Sequence, residues 1–533
     1  MATDPVLPPS PISPTALELK PTLFPTNRTL IEAFEWHSPA DRKHWLRLGR
    51  AVPSLGAIGV TDLWLPPGSK AKDAESNGYD IYDAYDLGEF DQKNTIPTKW
   101  GTKQDLLNLA RKCKHEGMGL IWDAILNHRA FADETETVQV VEVDPRDRRV
   151  DITEPYDITA WTKFDFKARG GKYSDFRYNK GHFNGTDWNQ NNEKRAIYRF
   201  VEGGKTWAPD VGNFQGNADY LMLENLDYQN EEVVKEITEW GEWIMKELGL
   251  SGFRLDAVQH FSWRFADAWT QRLKKRSPNG LLCVGEFWSG DINVLLDWLN
   301  NMTFDFQLYD VPLMFRIARL SWNEDTDLRE VFRDTLVERR PQNAVTFIRN
   351  HDTQKGQGMD TAIQYAFIAH AYSLLLLRQE GTPCVFFGDL YGITGPFPEP
   401  PSCWGKLPGL LLARKLYAYG SQTDYFVRSD CIGWVRHGDS QRPDGLVVVL
   451  SWTQGTDIAQ RAPSLVMNVG KKHAKETWSD VLGFEWSVVT IDDDGFGRFP
   501  CQRNSMACFV NTAADGRERF PVHFNADFHD ILG

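Results

Sequence analysis

The sequence lacks a secretory start. Its opening MATDPVLPPSPISPTALELKPTLFPT has no basic cluster followed by an apolar stretch, so no signal peptide is expected. Long apolar runs are also missing. The most apolar one, Tyr372 to Leu377, is far too short for a bilayer span. Positive charge is in the minority, with 59 Lys and Arg against 73 Asp and Glu, a net charge of −14. That balance repels nucleic acid and anionic membranes, so neither is an expected partner. No Gly-rich phosphate loop follows the early strand-like segments, which argues against a nucleotide-binding sheet. Cysteine is scarce and odd in number: Cys113, Cys283, Cys384, Cys403, Cys431, Cys501 and Cys508. Most sit singly in apolar segments and read as buried thiols of a reducing compartment; Cys501 and Cys508 are the pair that oxidation could bridge. A cytoplasmic setting is expected. The sequons at Asn27, Asn184 and Asn301 then read as chance matches.

What is present is length and alternation. A chain of 533 residues exceeds one ordinary core, so two or three domains are expected. The 20 Trp, 16 Tyr and 31 Phe suit stacking on sugar faces, but composition alone favours a large core. Helix patterns alternate with short apolar strands from about residue 30 to 420. Thr102 precedes an amphipathic stretch (Leu106, Leu109, Ala110, Cys113) that leads to the strand Leu120-Ile121-Trp122. Asn230 opens a second helix with Val234, Ile237, Gly241, Ile244 and Leu248 on one face, followed by a strand from Phe253 to Asp256. A third helix is predicted over 364–379, before the strand Cys384 to Phe387. Such repetition implies a parallel sheet, and the length suits a (β/α)8 TIM barrel, with a doubly wound sheet as runner-up. The predicted organisation is a flexible Pro-rich arm (1–28), a barrel (29–128 and 225–424) and an insertion after the third strand (129–224). A C-terminal antiparallel β-sandwich (425–512) and a loose tail (513–533) complete it. Sandwich strands are predicted at 446–452, 464–469, 486–491 and 506–510. A monomer is expected.

Four strand-like segments end in acids or histidines: Ile121-Trp122-Asp123 before Asn127-His128, Phe253 to Asp256 before Gln259-His260, Cys283 to Glu286, and Val345 to Ile348 before Asn350-His351-Asp352. One acid after a strand is ordinarily a helix cap or solvated turn. In a TIM barrel, however, all strand C-termini meet at one pocket. Arg254 and Asp256, two apart in a strand, point to the same side, and the cation would favour an ionised carboxylate. The apolar neighbours of Glu286 would hold its proton. One ionised and one protonated carboxyl is the pair that glycoside hydrolysis uses.

The strings DAILNH (Asp123 to His128), GFRLDAVQH (Gly252 to His260), GEFW (Gly285 to Trp288) and RNHD (Arg349 to Asp352) resemble the four signature regions of the α-amylase family, in the same order. NGYDIYDAYDLGEF (Asn77 to Phe90) and ADYLMLENLDY (Ala218 to Tyr228) resemble the liquefying bacterial enzymes and their intracellular fungal relatives. The resemblance implies a retaining hydrolase of internal α-1,4 bonds in starch, glycogen or maltooligosaccharides. It implies Asp256 as nucleophile, Glu286 as acid and base, and Asp352 as the residue that holds and distorts the sugar. Arg254 would orient Asp256. His128 and His351 would bond the glucose, Tyr79 would stack on it, and Gln259 and His260 would line its binding site. One structural Ca²⁺ is implied, held by Asn127, Asp219, Asn225 and the backbone oxygen of His260; oxygen-only ligation suits it.

The sequence departs from this pattern in places. Asn225 replaces a usual Asp, which would weaken the ion's hold. Ala208 and Gln229 stand where bacterial relatives have further metal-binding carboxylates, so a second metal cluster is not expected; Asp187 and Asp227 remain as hydrogen-bond acceptors. Gln259 replaces a usual Lys on the leaving-group side, and Arg349 stands where Asp or Glu is frequent. Two other functions stay open from sequence: a transglycosylase of the same family acting on intracellular or cell-wall α-glucan, and a non-catalytic glucan-binding protein.

Overall fold

The computed structural model describes residues 27–277, 280–303, 305–322, 327–453 and 462–532. The arm assigned to 1–28 lies almost wholly outside them.

Eight short parallel strands close into a barrel: β1 (Leu30–Glu32), β2 (Asp62–Trp64), β3 (Gly119–Ala124), β4 (Gly252–Leu255), β5 (Leu282–Gly285), β6 (Gln307–Tyr309), β7 (Ala344–Thr346) and β8 (Thr382–Phe386). They follow one another around the circle in chain order, with β8 returning to β1. The strands are mostly apolar and almost entirely buried, as expected when side chains fill the inside and helices cover the outside.

Local signals set the helix limits. Thr102 and Asp105 form a reciprocal capping box at the start of Lys103–His115. Asn230 caps Glu231–Leu248, which stops at Gly249 in the left-handed conformation that glycine accepts without a side-chain clash. Its buried face carries Val233, Ile237, Trp240, Ile244 and Leu248, so Val234 lies only at the edge. The helix predicted over 364–379 is shorter, Ile368–Leu376 behind a 3₁₀ turn at Tyr365–Phe367. Gln364 is extended because its N–H is taken by Ser321 Oγ, a tertiary contact that periodicity does not register.

After β3 the chain leaves the barrel. Glu134–Asp144 pairs antiparallel with Asp147–Asp151, Tyr156–Lys163 and Lys194–Phe200, and the sheet continues through Phe183–Asn189. It returns through Glu224–Leu226, which pairs with His128–Arg129 in two register positions, Glu224 with Arg129 and Asn225 with His128. That ladder is the neck of the insertion.

The C-terminal part is an antiparallel sandwich. The main sheet runs in the order Gln422–Tyr425, Cys431–Arg436, Leu446–Ser451, Ser505–Asn511, Thr477–Asp480, Val488–Thr490. Ser464–Asn468 and Phe496–Pro500 pair with each other, and Val435, Val447, Val449, Leu465, Met467 and Phe499 pack into the core between. The Trp434 indole donates to Leu377 O and that of Trp452 to Leu320 O, seating the sandwich on the barrel. The segment after Thr512 is not loose. Phe528 is buried against His44, Phe387 and Tyr391, and Arg47 Nε donates to His529 O. All seven cysteines are buried and free, Cys501 and Cys508 included. Asn184 is fully buried, which removes it as a glycosylation site. No helix among the described residues is long and apolar enough to cross a membrane.

Candidate active site

The C-terminal ends of β3, β4, β5 and β7 bring their polar residues to one place, with Arg254 of β4 at its centre. Its guanidinium is fully buried. Nη1 donates to Asp256 Oδ1 at 2.6 Å and to Asp123 Oδ1 at 2.8 Å. Nη2 lies 2.7 Å from Glu286 Oε2, a close ion contact without hydrogen-bond alignment. One cation therefore touches carboxylates from three successive barrel strands.

The backbone holds the two carboxyls at fixed heights. Asp256 N donates to Ala124 O, Glu286 N to Leu255 O and Val258 N to Glu286 O, extending the ladder past the strand ends. Ala257 sits in the left-handed region (φ 44°), strain of about 1–2 kcal/mol for a residue with a Cβ. There its N–H points at Glu286 Oε2, 3.3 Å away. Before Glu286 only glycine fits, because a Cβ at Gly285 would come within 2.8 Å of the Phe306 ring.

Burial pushes the Glu286 carboxyl up to about 7, against the pull of Arg254, so the protonated form persists well above the usual carboxylate range. Asp352 behaves oppositely. Burial opposes its ionisation, but the charge of His351 beside it outweighs that and lowers its pKa. His351 is itself buried, yet Asp352 and Glu32 raise its pKa well above the ordinary value. Its Nδ1 is 2.5 Å from Glu32 Oε1 and its Nε2 is 3.2 Å from Asp352 Oδ2. The Tyr79 ring stacks on His351 at 5.0 Å and 14°, and Trp36 stacks on both rings. The Tyr79 hydroxyl and the Trp64 indole both donate to Asp123 Oδ2.

His128 bonds the Tyr79 carbonyl through Nε2, which leaves Nδ1 buried and without a partner among the described residues. Gln259 Oε1 and Glu286 Oε1 are likewise buried and unpaired. Buried polar atoms are rarely left so, and a cluster of them marks where a hydroxyl-rich ligand would complete the bonding. His260 turns its ring to Ala218 O, at 2.6 Å. Glu32 and Trp36 carry no local sequence signal: Glu32 ends β1 and Trp36 lies just beyond it, outside the four motifs. Asp123 is legible as a strand-end acid, but its sequence position assigns it no role.

At the neck of the insertion, Asn127 Nδ2 donates to Asp256 O and Asn225 Nδ2 to Asn184 Oδ1. Both amide oxygens, Asn127 Oδ1 and Asn225 Oδ1, are buried without partners. Asp219 Oδ2 accepts from Asn184 Nδ2 and Ala208 N, and burial pushes its carboxyl up to about 7. Unpaired hard oxygens beside a buried carboxyl suit a hard cation. Asp227 is instead paired with Lys205, at 2.7 Å.

The family model described as the α-amylase catalytic domain matches residues 51–415. An α-amylase of Bacillus licheniformis is 40% identical over 487 residues, covering 91% of this chain and 93% of its own length. The chain belongs to the α-amylase family. Within that family it is also 36% identical to the cytoplasmic α-amylase of Escherichia coli, over 91% of this chain and 99% of the relative. The fold is shared with an Anoxybacillus α-amylase of known structure (TM-score 0.58, 16% identity, 91% of this chain and 98% of that one). Membership makes the chain a glycoside hydrolase of the α-amylase type.

Proposed function

We propose that this α-amylase-family chain cleaves internal α-1,4 bonds of starch, glycogen or maltooligosaccharides by a retaining double displacement. The observation that carries this reading is the shared contact of Arg254 with Asp256 and Glu286, two acids from neighbouring strand ends held by one guanidinium. Asp256, oriented by Arg254, attacks the anomeric carbon. Glu286 protonates the departing glycosidic oxygen as that bond breaks, leaving the sugar esterified to Asp256; water then attacks the anomeric carbon, its proton passes to Glu286, and the Asp256 carboxylate is released. Asp352, kept ionised by His351, binds ring hydroxyls and favours the distorted sugar. His128 spends its Nε2–H on the Tyr79 carbonyl and burial favours the neutral ring, so its Nδ1 is free to accept from a sugar hydroxyl. Tyr79 offers a face to the sugar, and Gln259 and His260 lie on the leaving-group side.

Asn127, Asp219, Asn225 and the His260 backbone oxygen would hold one Ca²⁺, which supplies structural charge between barrel and insertion rather than a chemical step. With two amides and one carboxylate among its side chains, this site is poorer in charge than one with two carboxylates. Free buried thiols and the likeness to a cytoplasmic relative support a cytoplasmic setting. The intact, assembled acids argue against a purely binding role, and no observation favours transfer over hydrolysis.

The test is Glu286→Gln on maltoheptaose. Turnover is expected to fall about 10²- to 10⁴-fold while calorimetric binding of the sugar persists. Turnover near that of the parent refutes the assigned acid. In the parent, products longer than the substrate would reveal transfer.

A further inference from the structure

Arg349 lies three residues past the end of β7 and three before Asp352. It is buried, and none of its hydrogen bonds goes to Asp352. Nη2 donates to Asp389 and to Ser402 Oγ, and Nη1 donates to Glu399 Oε2 at 2.7 Å. Asp389 is fully buried and also accepts from the Tyr372 hydroxyl at 2.6 Å. Asp389 and Glu399 both belong to the segment after β8, and a backbone pair between Ile393 and Glu399 closes a loop there. An acid at position 349 would place a third carboxyl against these two. The arginine and its two partners form one matched set.

That loop reaches the segment after β1. The Thr394 hydroxyl donates to Glu35 Oε1 at 2.7 Å and lies 3.1 Å from His37 O. Gly395 has φ +80° and sits so close to His37 that a Cβ there would strike the ring. Phe397, exposed at the tip, covers Gly356 of the segment after β7, with Lys355 Nζ 5.5 Å from its ring. Gln357 Nε2 is 3.3 Å from His37 Nε2. Three loops, following β7, β8 and β1, are thus locked into one rim. Around the eight-strand circle, β8 and β1 stand across the mouth from β4 and β5, which carry Asp256, Gln259, His260 and Glu286. Trp36, stacked on Tyr79 and His351, immediately precedes His37 of this rim.

We infer that Arg349 is a specificity-determining positioning residue: it fastens the loop 392–402 as the wall against which the retained, non-reducing part of the glucan lies, and so sets product length. This rests on the hydrolase reading above. The sugar gripped by Tyr79 and His351 is the one that stays on Asp256, so units further along its chain run toward the rim opposite the leaving-group residues. Buried ion pairs are weak evidence for stability as such. Here, though, the second pair reaches Glu399 on a partly exposed loop, where its effect is to fix that loop's position.

The experiment is steady-state kinetics on maltoheptaose, with the cleavage pattern read from end-labelled substrate. Arg349→Met is expected to raise KM about fivefold or more with kcat within about threefold, the signature of lost uniform binding. Its main cleavage site is expected to move. Glu399→Gln is expected to move the pattern the same way by a smaller amount, and Arg349→Lys to restore part of it, since an ammonium lacks the bidentate fork. Unchanged KM and pattern in both Arg349→Met and Glu399→Gln overturn the proposal. So does a loss of kcat with KM and pattern intact, which would place the effect on Asp352. If Arg349→Met does not fold, Glu399→Gln decides alone. Cleavage by the parent upholds the hydrolase reading whatever the variants do, so the two conclusions fail on different observations.

Discussion

Glu286 and Asp352 share a burial that would raise both carboxyls, and they part because of what else touches them. Glu286 meets Arg254 but also feels the negative charges of Asp256 and Asp352, so desolvation wins and its pKa rises to about 7. Asp352 has a charged His351 beside it, and its pKa falls. The acid role requires protonated Glu286. In the free enzyme that form dominates below its pKa and is lost as pH rises through it, so kcat/KM should descend on the alkaline side with a midpoint near about pH 7. A profile on maltoheptaose that stays level to about pH 9 contradicts the assignment. At this scale the sequence was informative wherever a side chain and its partner are close along the chain, as Arg254 and Asp256 are. It was silent on the Glu32–His351 contact, which joins residues 319 positions apart and has no local pattern. Arg349 was visible as an oddity but had no meaning until Asp389 and Glu399 stood beside it.

At the scale of elements, one side chain joins two helices. Asp310 follows β6 and caps Val311–Ser321 by accepting from Leu313 N at 3.0 Å. The same carboxylate accepts from Leu336 N and Val337 N, the first two residues of Leu336–Arg339. It is fully buried. Asp310→Ala should orphan three N–H groups and lower unfolding free energy by about 3 kcal/mol or more. Asp310→Asn, with one acceptor oxygen, should lose less. Urea denaturation checks both, and equal losses would mean that the one acceptor oxygen kept by Asn contributes nothing, against the bonding assigned here. The strands that carry the site acids and the helices opened by Thr102 and Asn230 were legible because period and punctuation agree there; β2 and β6, three residues each, were too short to register. The insertion was legible only as a break in that pattern. Its long strand Glu134–Asp144 opens with four exposed or half-buried polar residues and carries four acids, so it reads as polar loop until its partners are known.

Across the whole molecule, barrel and insertion meet where the unpaired oxygens of Asn127 and Asn225 lie. If a cation completes them, its removal should destabilise the folded form by the linkage of binding to folding. Chelation is expected to lower Tm by several degrees, with recovery on adding Ca²⁺ in excess. An unmoved Tm in chelator would leave those amide oxygens as uncompensated polar atoms and reject the ion. The loss should be graded rather than total, because one large apolar core runs from the barrel into the insertion and does not depend on the ion.

The two-position ladder of Glu224–Leu226 with His128–Arg129 has a sharper consequence than its size suggests. His128, Asn127 and Asn225 all sit on or next to it, so the same few backbone bonds would carry both the proposed sugar contact and the ligands of the proposed ion. Warming that frays this joint would silence the enzyme while the (β/α)8 wall is still standing. Heat inactivation and heat unfolding are then expected to run as two separate clocks, because the insertion stays pinned to the barrel elsewhere, through the buried Arg169–Asp83 pair, after the ladder frays.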